Sequence, residues 1–254
     1  FFICDNAVVN ADDEASTYMV EGVPCNVKTY ALNNDADFKA DNAELFSDRV
    51  QYDLSNEKVI FGIPGDFSVY NSLCAIGAVC SLGFDLSDVI SAISKANSVK
   101  GRLELLKTNT PYGVIIDYAH SPDGLEKAIK AVRGFTKGRV ITLFGCGGDR
   151  DKTKRPKMGR VATDLSDIVV VTTDNPRTED PEVIIKEILI GTVGSKAEVV
   201  TVTDRTEAIK YALSIAKEND TVLLAGKGHE TYQVIGKERV HYDEREVVAE
   251  ILGI

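Results

Sequence analysis

Four short segments concentrate the residue types able to hold or activate a small molecule. They are Asp117-Tyr118-Ala119-His120, Gly145-Cys146-Gly147-Gly148-Asp149-Arg150-Asp151, Asp174-Asn175-Pro176-Arg177 and Gly226-Lys227-Gly228-His229-Glu230. Arg150 and Arg177 are planar forks suited to carboxylates. Asp149, Asp151, Asp174 and Glu230 are suited to ammonium groups, and Asn175 offers donor and acceptor together. A site with both signs recognises a zwitterion, or two. Pro176 fixes its own φ and restricts Asn175, which lowers the ordering cost of binding. Gly145, Gly147 and Gly148 are expected to adopt backbone conformations closed to other residues and to let a ligand approach the main chain. A helix starting directly afterwards is expected to offer unpaired N–H donors to an anion, and Gly226 and Gly228 are expected to serve in the same way. The plainer alternatives are tight strand-to-helix turns for the glycines and a surface ion pair with Glu179 or Asp180 for Arg177.

Each segment follows an apolar, β-branched run. The runs at Gly113 to Ile116, Val140 to Phe144, Ile168 to Thr172, Val199 to Val202 and Thr221 to Ala225 read as strands buried on both faces. Amphipathic stretches lie between them. SPDGLEKAIKAVRGF places Leu125, Ile129 and Val132 at helical spacing, and DRTEAIKYALSIAKEN starts at a candidate N-cap, Asp204, with Glu207 three residues on. Alternating strands and helices imply right-handed crossovers and a mostly parallel sheet. In such a sheet the carboxyl ends of the strands share one edge, where ligands bind. The four segments are therefore expected to converge.

Before Gly101 the pattern differs. Phe1 to Asn10, Val27 to Leu32, Ala43 to Tyr52 and Lys58 to Ile63 read as strands. Helices are expected from about Asp12, over Asn71 to Leu82 and over Leu86 to Ala96. This half reads as the back end of a larger α/β domain, residues 1–99, followed by a second domain over residues 100–254. The chain opens at Phe1 inside an apolar run, so a preceding segment is expected.

The net charge of -10 opposes nucleic acid as a general partner. No apolar run approaches the length of a membrane span, and no signal-peptide pattern is present. None of the five cysteines forms Cys-x-x-Cys or a zinc-type cluster with the three histidines, which reads as reduced thiols in a cytoplasmic protein. The third glycine of a dinucleotide fingerprint is replaced by Arg150, and no Gly-x-x-x-x-Gly-Lys-Ser/Thr occurs.

DYAHSPDGLEKAI, GCGGDRDKTKRPKMG, TDNPRTEDP and GKGHETYQ together resemble the Mur ligases, as do AVVNADDE and GDFSVYNSLCAIGAV. The resemblance runs through the whole chain. It implies the last part of a central ATPase domain followed by a Rossmann-like C-terminal domain for an incoming amino acid. A UDP-sugar domain, the P-loop and the principal metal ligands would lie upstream of Phe1, so this chain alone is expected to be inactive. The implied activity is an ATP- and Mg2+-dependent ligation of meso-diaminopimelate to UDP-MurNAc-L-Ala-D-Glu through an acyl phosphate, by a monomer.

The same resemblance implies residue roles. Asn71 resembles an asparagine near ATP, although Ser68 departs from an asparagine often found in that motif. Arg102 resembles the arginine that approaches the nucleotide phosphates, with Lys100 where proline is common. Asp117 resembles an aspartate that contacts the nucleotide, with His120 beside it; helix capping or packing is the alternative for His120. Asp174 to Arg177 resemble the element tied to diaminopimelate specificity, in which Arg177 would bind the carboxylate that lysine lacks. Arg150 is expected to serve the same amino acid, and Gly226 and Glu230 to hold its distal end through a backbone group and an anion. A ligase using L-lysine or a folate-type glutamate, and a non-catalytic amino-acid-binding module, are the other readings. The arginine of DNPR argues against lysine, and GCGGDRD with GKGHE against the folate branch.

Overall fold

The computed structural model describes residues 3–96 and 99–254. The chain divides into two compact units, Phe1–Ser98 and Val99–Ile254. Within the expected boundary segment KANSVKGRLE, Asn97 and Ser98 lie outside the described residues, as do Phe1 and Phe2 of the first expected strand.

The first unit begins with β1 (Asn6–Asn10), α1 (Ala15–Val20), β2 (Asn26–Ala31) and β3 (Phe38–Lys39). These three strands form a parallel sheet in the order β1-β2-β3. A meander of β4 (Asp41–Leu45), β5 (Val50–Leu54) and β6 (Glu57–Phe61) follows, then α2 (Asp66–Ser81) and α3 (Leu86–Ile93). Val50, Tyr52, Leu54 and Val59 pack under Val69, Leu73 and Ile76 of α2. The expected strand over Ala43 to Tyr52 is two antiparallel strands, because the chain reverses at Phe46, whose N–H donates to the Arg49 carbonyl. Two helices start elsewhere than expected. The Asp12 carboxylate binds the N–H groups of Leu32, Asn33 and Asn34, which keeps Asp12 outside α1. Helix α2 starts five residues earlier than Asn71, at Asp66, behind Gly65.

The second unit is a six-stranded sheet. Its elements in order are β7 (Glu104–Leu105), β8 (Gly113–Asp117), α4 (Pro122–Phe135), β9 (Val140–Phe144), α5 (Lys154–Leu165), β10 (Ile168–Val171), α6 (Pro181–Leu189), β11 (Glu198–Thr201), α7 (Arg205–Ile215), β12 (Thr221–Ala225), the hairpin β13 (Tyr232–Ile235) and β14 (Glu238–His241), and α8 (Glu244–Leu252). The strand order is β11-β10-β9-β12-β8-β7, with every pairing parallel except β7 on β8. One face, through Ile116, Leu143, Val170 and Leu224, packs on Ala208, Ile209 and Ala212 of α7 and Val248 of α8. The alternate residues turn to the other face, where α4 packs on β9 and β12 and α5 packs on α4 and α6. The helix starts are capped. Ser121 accepts from Gly124 N, Asp180 from Glu182 N, and Asp204 from Glu207 N as its sequence predicts. No helix among the described residues is long and apolar enough to cross a membrane.

The returning strand β12 fills the slot between β8 and β9. The strands also end level: Val171 pairs with Phe144, Leu143 with Leu224, and Ala225 with Asp117. Four adjacent strands therefore release their chains at one height. Leu224 lies at the centre of this sheet with no exposed surface. Leu224→Ala should cost about 2–5 kcal/mol of unfolding free energy, read from urea denaturation.

Candidate functional site

The level strand ends open into one cleft of about 470 Å³. Tyr118 and His120 reach it from the end of β8, and Gly145, Cys146, Gly147, Arg150 and Asp151 from β9. Asp174, Asn175 and Arg177 come from β10, and Gly226 and Glu230 from β12. The four segments thus converge, as their sequence predicts. Arg150, Asp174, Asn175, Arg177, Gly226 and Glu230 all line the cleft, and so does His120.

The glycines of the second segment serve differently from the expectation. None of Gly145, Gly147 and Gly148 has positive φ. The constraint is crowding: a Cβ on Gly148 would lie 1.9 Å from the Pro176 carbonyl oxygen, and one on Gly145 2.3 Å from that of Thr172. The segment after β9 and the segment after β10 are pressed together, and the Gly148 N–H donates to the Asn175 carbonyl at 2.9 Å. No helix starts directly behind these glycines. Asp149, at φ 54, turns the chain, Asp151 accepts from Thr153, and α5 begins at Lys154. Gly226 and Gly228 do have positive φ, 117° and 53°. A hairpin follows them, not a helix, so no helix N-terminus faces an anion there.

That hairpin is bound to the third segment. Arg177 donates its N–H to the Val234 carbonyl at 3.1 Å, and its own carbonyl accepts from Gly236 N at 2.8 Å. The Gln233 amide donates to the Asp174 carbonyl at 2.7 Å. The Asn175 side chain is fully engaged inside the protein, with Oδ1 accepting from Val234 N at 2.9 Å and Nδ2 donating to Glu230 Oε2 at 3.0 Å. Its position is that of a strut between loops. Arg177 takes φ 52, a left-handed conformation costly for a non-glycine residue, and one guanidinium nitrogen donates to the Gly148 carbonyl at 2.8 Å. The ion pair to Glu179 or Asp180 is not formed: Glu179 pairs with Arg155 and Lys152, and Asp180 caps α6.

Sequence reasoning passed over the groups that brace the cleft. Arg155 has no exposed surface and forks onto both oxygens of Glu179 at 2.9 and 3.0 Å, onto Glu187 at 2.6 Å and onto the Gly147 carbonyl at 3.2 Å. Buried Arg205 donates to the carbonyls of Thr173 and Ala225, just beyond β10 and at the end of β12, and pairs with buried Glu244. Lys227 is also fully buried, its ammonium among Asp174, Asn175 and Glu230. Tyr232 and Arg239 add a wall from the hairpin, the guanidinium 4.4 Å from the ring centre. The alternating YQVIGKERVHY with its Gly236-Lys237 turn is a hairpin pattern and the signal that could have found them. No spacing rule marks Arg155 within KTKRPKMG.

Asp117 and Arg102 do not line the cleft. Asp117 is buried, and its two oxygens accept from Ala119 N and Leu103 N, each at 2.8 Å. Burial pushes its carboxyl above the ordinary range, against the pull of these donors. Arg102 is exposed, with its guanidinium 5.2 Å from the Tyr118 ring centre. His120 does not cap α4, which Ser121 does; its Nδ1 lies 2.9 Å from the Tyr118 carbonyl and its ring 4.7 Å from the Tyr118 ring. Asn71 belongs to the first unit, exposed on α2.

Comparison with known proteins gave consistent matches. The family model described as "Mur ligase, glutamate ligase domain" matches residues 101–228, and "Mur ligase middle domain" matches residues 3–79. The chain is 45% identical over 252 residues to UDP-N-acetylmuramoyl-L-alanyl-D-glutamate--2,6-diaminopimelate ligase 1 of Clostridium acetobutylicum, covering 97% of this chain and 52% of that protein. It is 44% identical over 255 residues to the like-named ligase of Clostridioides difficile, again covering 97% and 52%. Among solved structures, a UDP-N-acetylmuramoyl-L-alanyl-D-glutamate--2,6-diaminopimelate ligase superposes with a TM-score of 0.70 at 32% identity, over 98% of this chain and 53% of that one. A pseudomurein peptide ligase type C from Methanothermus fervidus shares the fold at 20% identity, with a TM-score of 0.66 over 96% of this chain and 56% of that one. The chain spans about half the length of the curated relatives it matches.

Two measurements check the bracing. Gly148→Ala must displace the Pro176 carbonyl and should cost about 1–3 kcal/mol, read from urea midpoints. The Arg155 guanidinium holds the Glu179 carboxyl down at about 2, from an ordinary 4.5. A carboxyl lower in the folded state than in the unfolded one stabilises fully above the unfolded value and loses that contribution as pH falls toward the folded one. The stability difference between wild type and Glu179→Gln should therefore be constant above about pH 5 and shrink steadily toward pH 2.

Proposed function

Because the chain belongs to the Mur ligase family, we propose that its second unit receives meso-diaminopimelate as the amino acid to be joined. One observation carries this reading: Arg150 and Arg177 line the same cleft as Asp174 and Glu230. Two forks suit a molecule with a carboxylate at each end, and the carboxylates beside them suit its distal ammonium. In this reading Arg177 takes the distal carboxylate and Arg150 the carboxylate nearer the reacting amine. Glu230, beside the open main chain of Gly226, takes the distal ammonium. The cavity itself orients the nucleophile, since the reacting amine is the group these contacts leave over. Lysine lacks the distal carboxylate and would leave Arg177 facing no anion.

The reaction proposed for the whole ligase is ATP-dependent addition of this amino acid to UDP-MurNAc-L-Ala-D-Glu through an acyl phosphate, in the cytoplasm, as a step toward peptidoglycan. Arg102, His120, Asp117 and Asn71 are the proposed nucleotide-side residues of this chain. Exposed Arg102 suits a phosphate. Asp117 does not suit direct contact, since both its oxygens hold backbone N–H groups; its proposed part is to set the backbone of Leu103 and so the position of Arg102. Among the described residues no three His, Cys, Asp or Glu side chains gather as a metal site.

The test is calorimetric titration of the chain with meso-diaminopimelate and with L-lysine. Diaminopimelate should bind roughly 30-fold or more tightly than lysine, and Arg177→Ala should bring the two within a few-fold of each other. Equal binding of both by the wild type would overturn the assignment.

A further inference from the structure

Lys227 is the one charged group of the four segments that has no exposed surface at all. It sits between two glycines of positive φ, Gly226 and Gly228, a turn that carries its side chain under the cleft. The cleft wall includes Asp174, Gly226 and Glu230 but not Lys227. Its Nζ lies 3.5 Å from Asp174 Oδ1, 3.4 Å from Glu230 Oε2 and 3.2 Å from Asn175 Oδ1. On the far side the Tyr242 ring centre is 5.9 Å away. Other ionisable groups facing this cluster include Tyr118, which feels both carboxylates, Cys146, which feels Asp174, and Arg205, which feels Asp174 and is already paired with Glu244.

A lysine that touches two carboxylates and no solvent sets the charge of the surface above it. Without it, two adjacent carboxylates would face the cleft, and a ligand bringing one ammonium would leave one of them uncompensated. With it, the inner end presents one net negative charge. On the reading of the cleft as the amino-acid site, we propose that Lys227 is a positioning and specificity residue: its buried ammonium balances one of the two carboxylates, so that the inner end accepts one ligand ammonium. It also holds Glu230 and Asn175 at their observed spacing. It acts through them and does not touch the ligand.

A charge role differs from a packing role in how substitutions combine. Lys227→Met keeps the length of the side chain and removes the charge. Asp174→Asn removes one carboxylate. Each alone shifts the inner end by one charge, in opposite directions, and the pair together restores it. Calorimetric titration with meso-diaminopimelate should show each single variant weakened at least ~10-fold, and the double variant binding more tightly than either single one. Additive losses in the double variant, or wild-type affinity in Lys227→Met, would overturn the proposal. Thermal melting of the four unliganded chains separates this from failure of the site assignment. If wild type binds no meso-diaminopimelate, the assignment falls, and with it the ligand-counting part. The charge balance then stands only if Lys227→Met lowers the melting temperature and Asp174→Asn in that background raises it again; a further drop overturns it too.

Discussion

A single buried guanidinium ties together the parts on which the cleft depends. Arg155 has no exposed surface, and it binds the Gly147 carbonyl behind β9, Glu179 behind β10 and Glu187 on α6. The two loops it joins are the same two that meet where Gly148 approaches Pro176 too closely for a side chain. Burying such an ion cluster is a weak source of net stability, because desolvation offsets much of the attraction. Its structural effect is geometric. A fork whose two terminal nitrogens are held by two carboxylates and a carbonyl leaves few alternative arrangements for the loops that carry it.

The same logic recurs across the sheet edge. Arg205 binds the carbonyls of Thr173 and Ala225 and so fixes the exits of β10 and β12 against each other, with Glu244 of α8 as its counter-ion. The hairpin then locks onto Arg177 and Asn175. Arg177 is held at a strained left-handed φ by hydrogen bonds on both sides of its peptide. Strain of this kind persists only where the surroundings over-determine it, and here it aims a guanidinium into the cleft. The residues that line the site are therefore stiffened by residues that do not line it. This arrangement suits recognition of a small, flexible, doubly charged molecule, since little ordering is left for the ligand to impose.

Much of the second unit was legible in the chain itself. Strands buried on both faces carry unbroken β-branched runs, and helix starts carry Ser121, Asp180 and Asp204 where the cap geometry needs an oxygen. The first unit was read less well at its ends. The reversal between β4 and β5 lacks the glycine or proline that marks most turns, so Ala43 to Tyr52 looked continuous. Helix α2 hid its start because Asp66 to Tyr70 are ordinary residues behind a glycine.

By itself the sequence determined the class of the sheet, its parallel strands and the polar segments that follow them. Periodicity and capping are local, and local patterns are written in consecutive residues. It also determined the chemistry offered at the sheet edge, since two arginines and several carboxylates are there whatever the fold. Only the tertiary structure decided which of these groups face the cleft and which hold it up. Asn175 and Asp117 turned out to spend their hydrogen bonds inside the protein, Asn175 on Val234 N and Glu230 and Asp117 on backbone N–H groups, while Lys227 and Arg155 were buried as counter-charges. The reason is physical. Whether a charged side chain meets solvent or a partner depends on which distant segment is packed against it, and the strand order that places β12 between β8 and β9 brings together residues separated by more than a hundred positions.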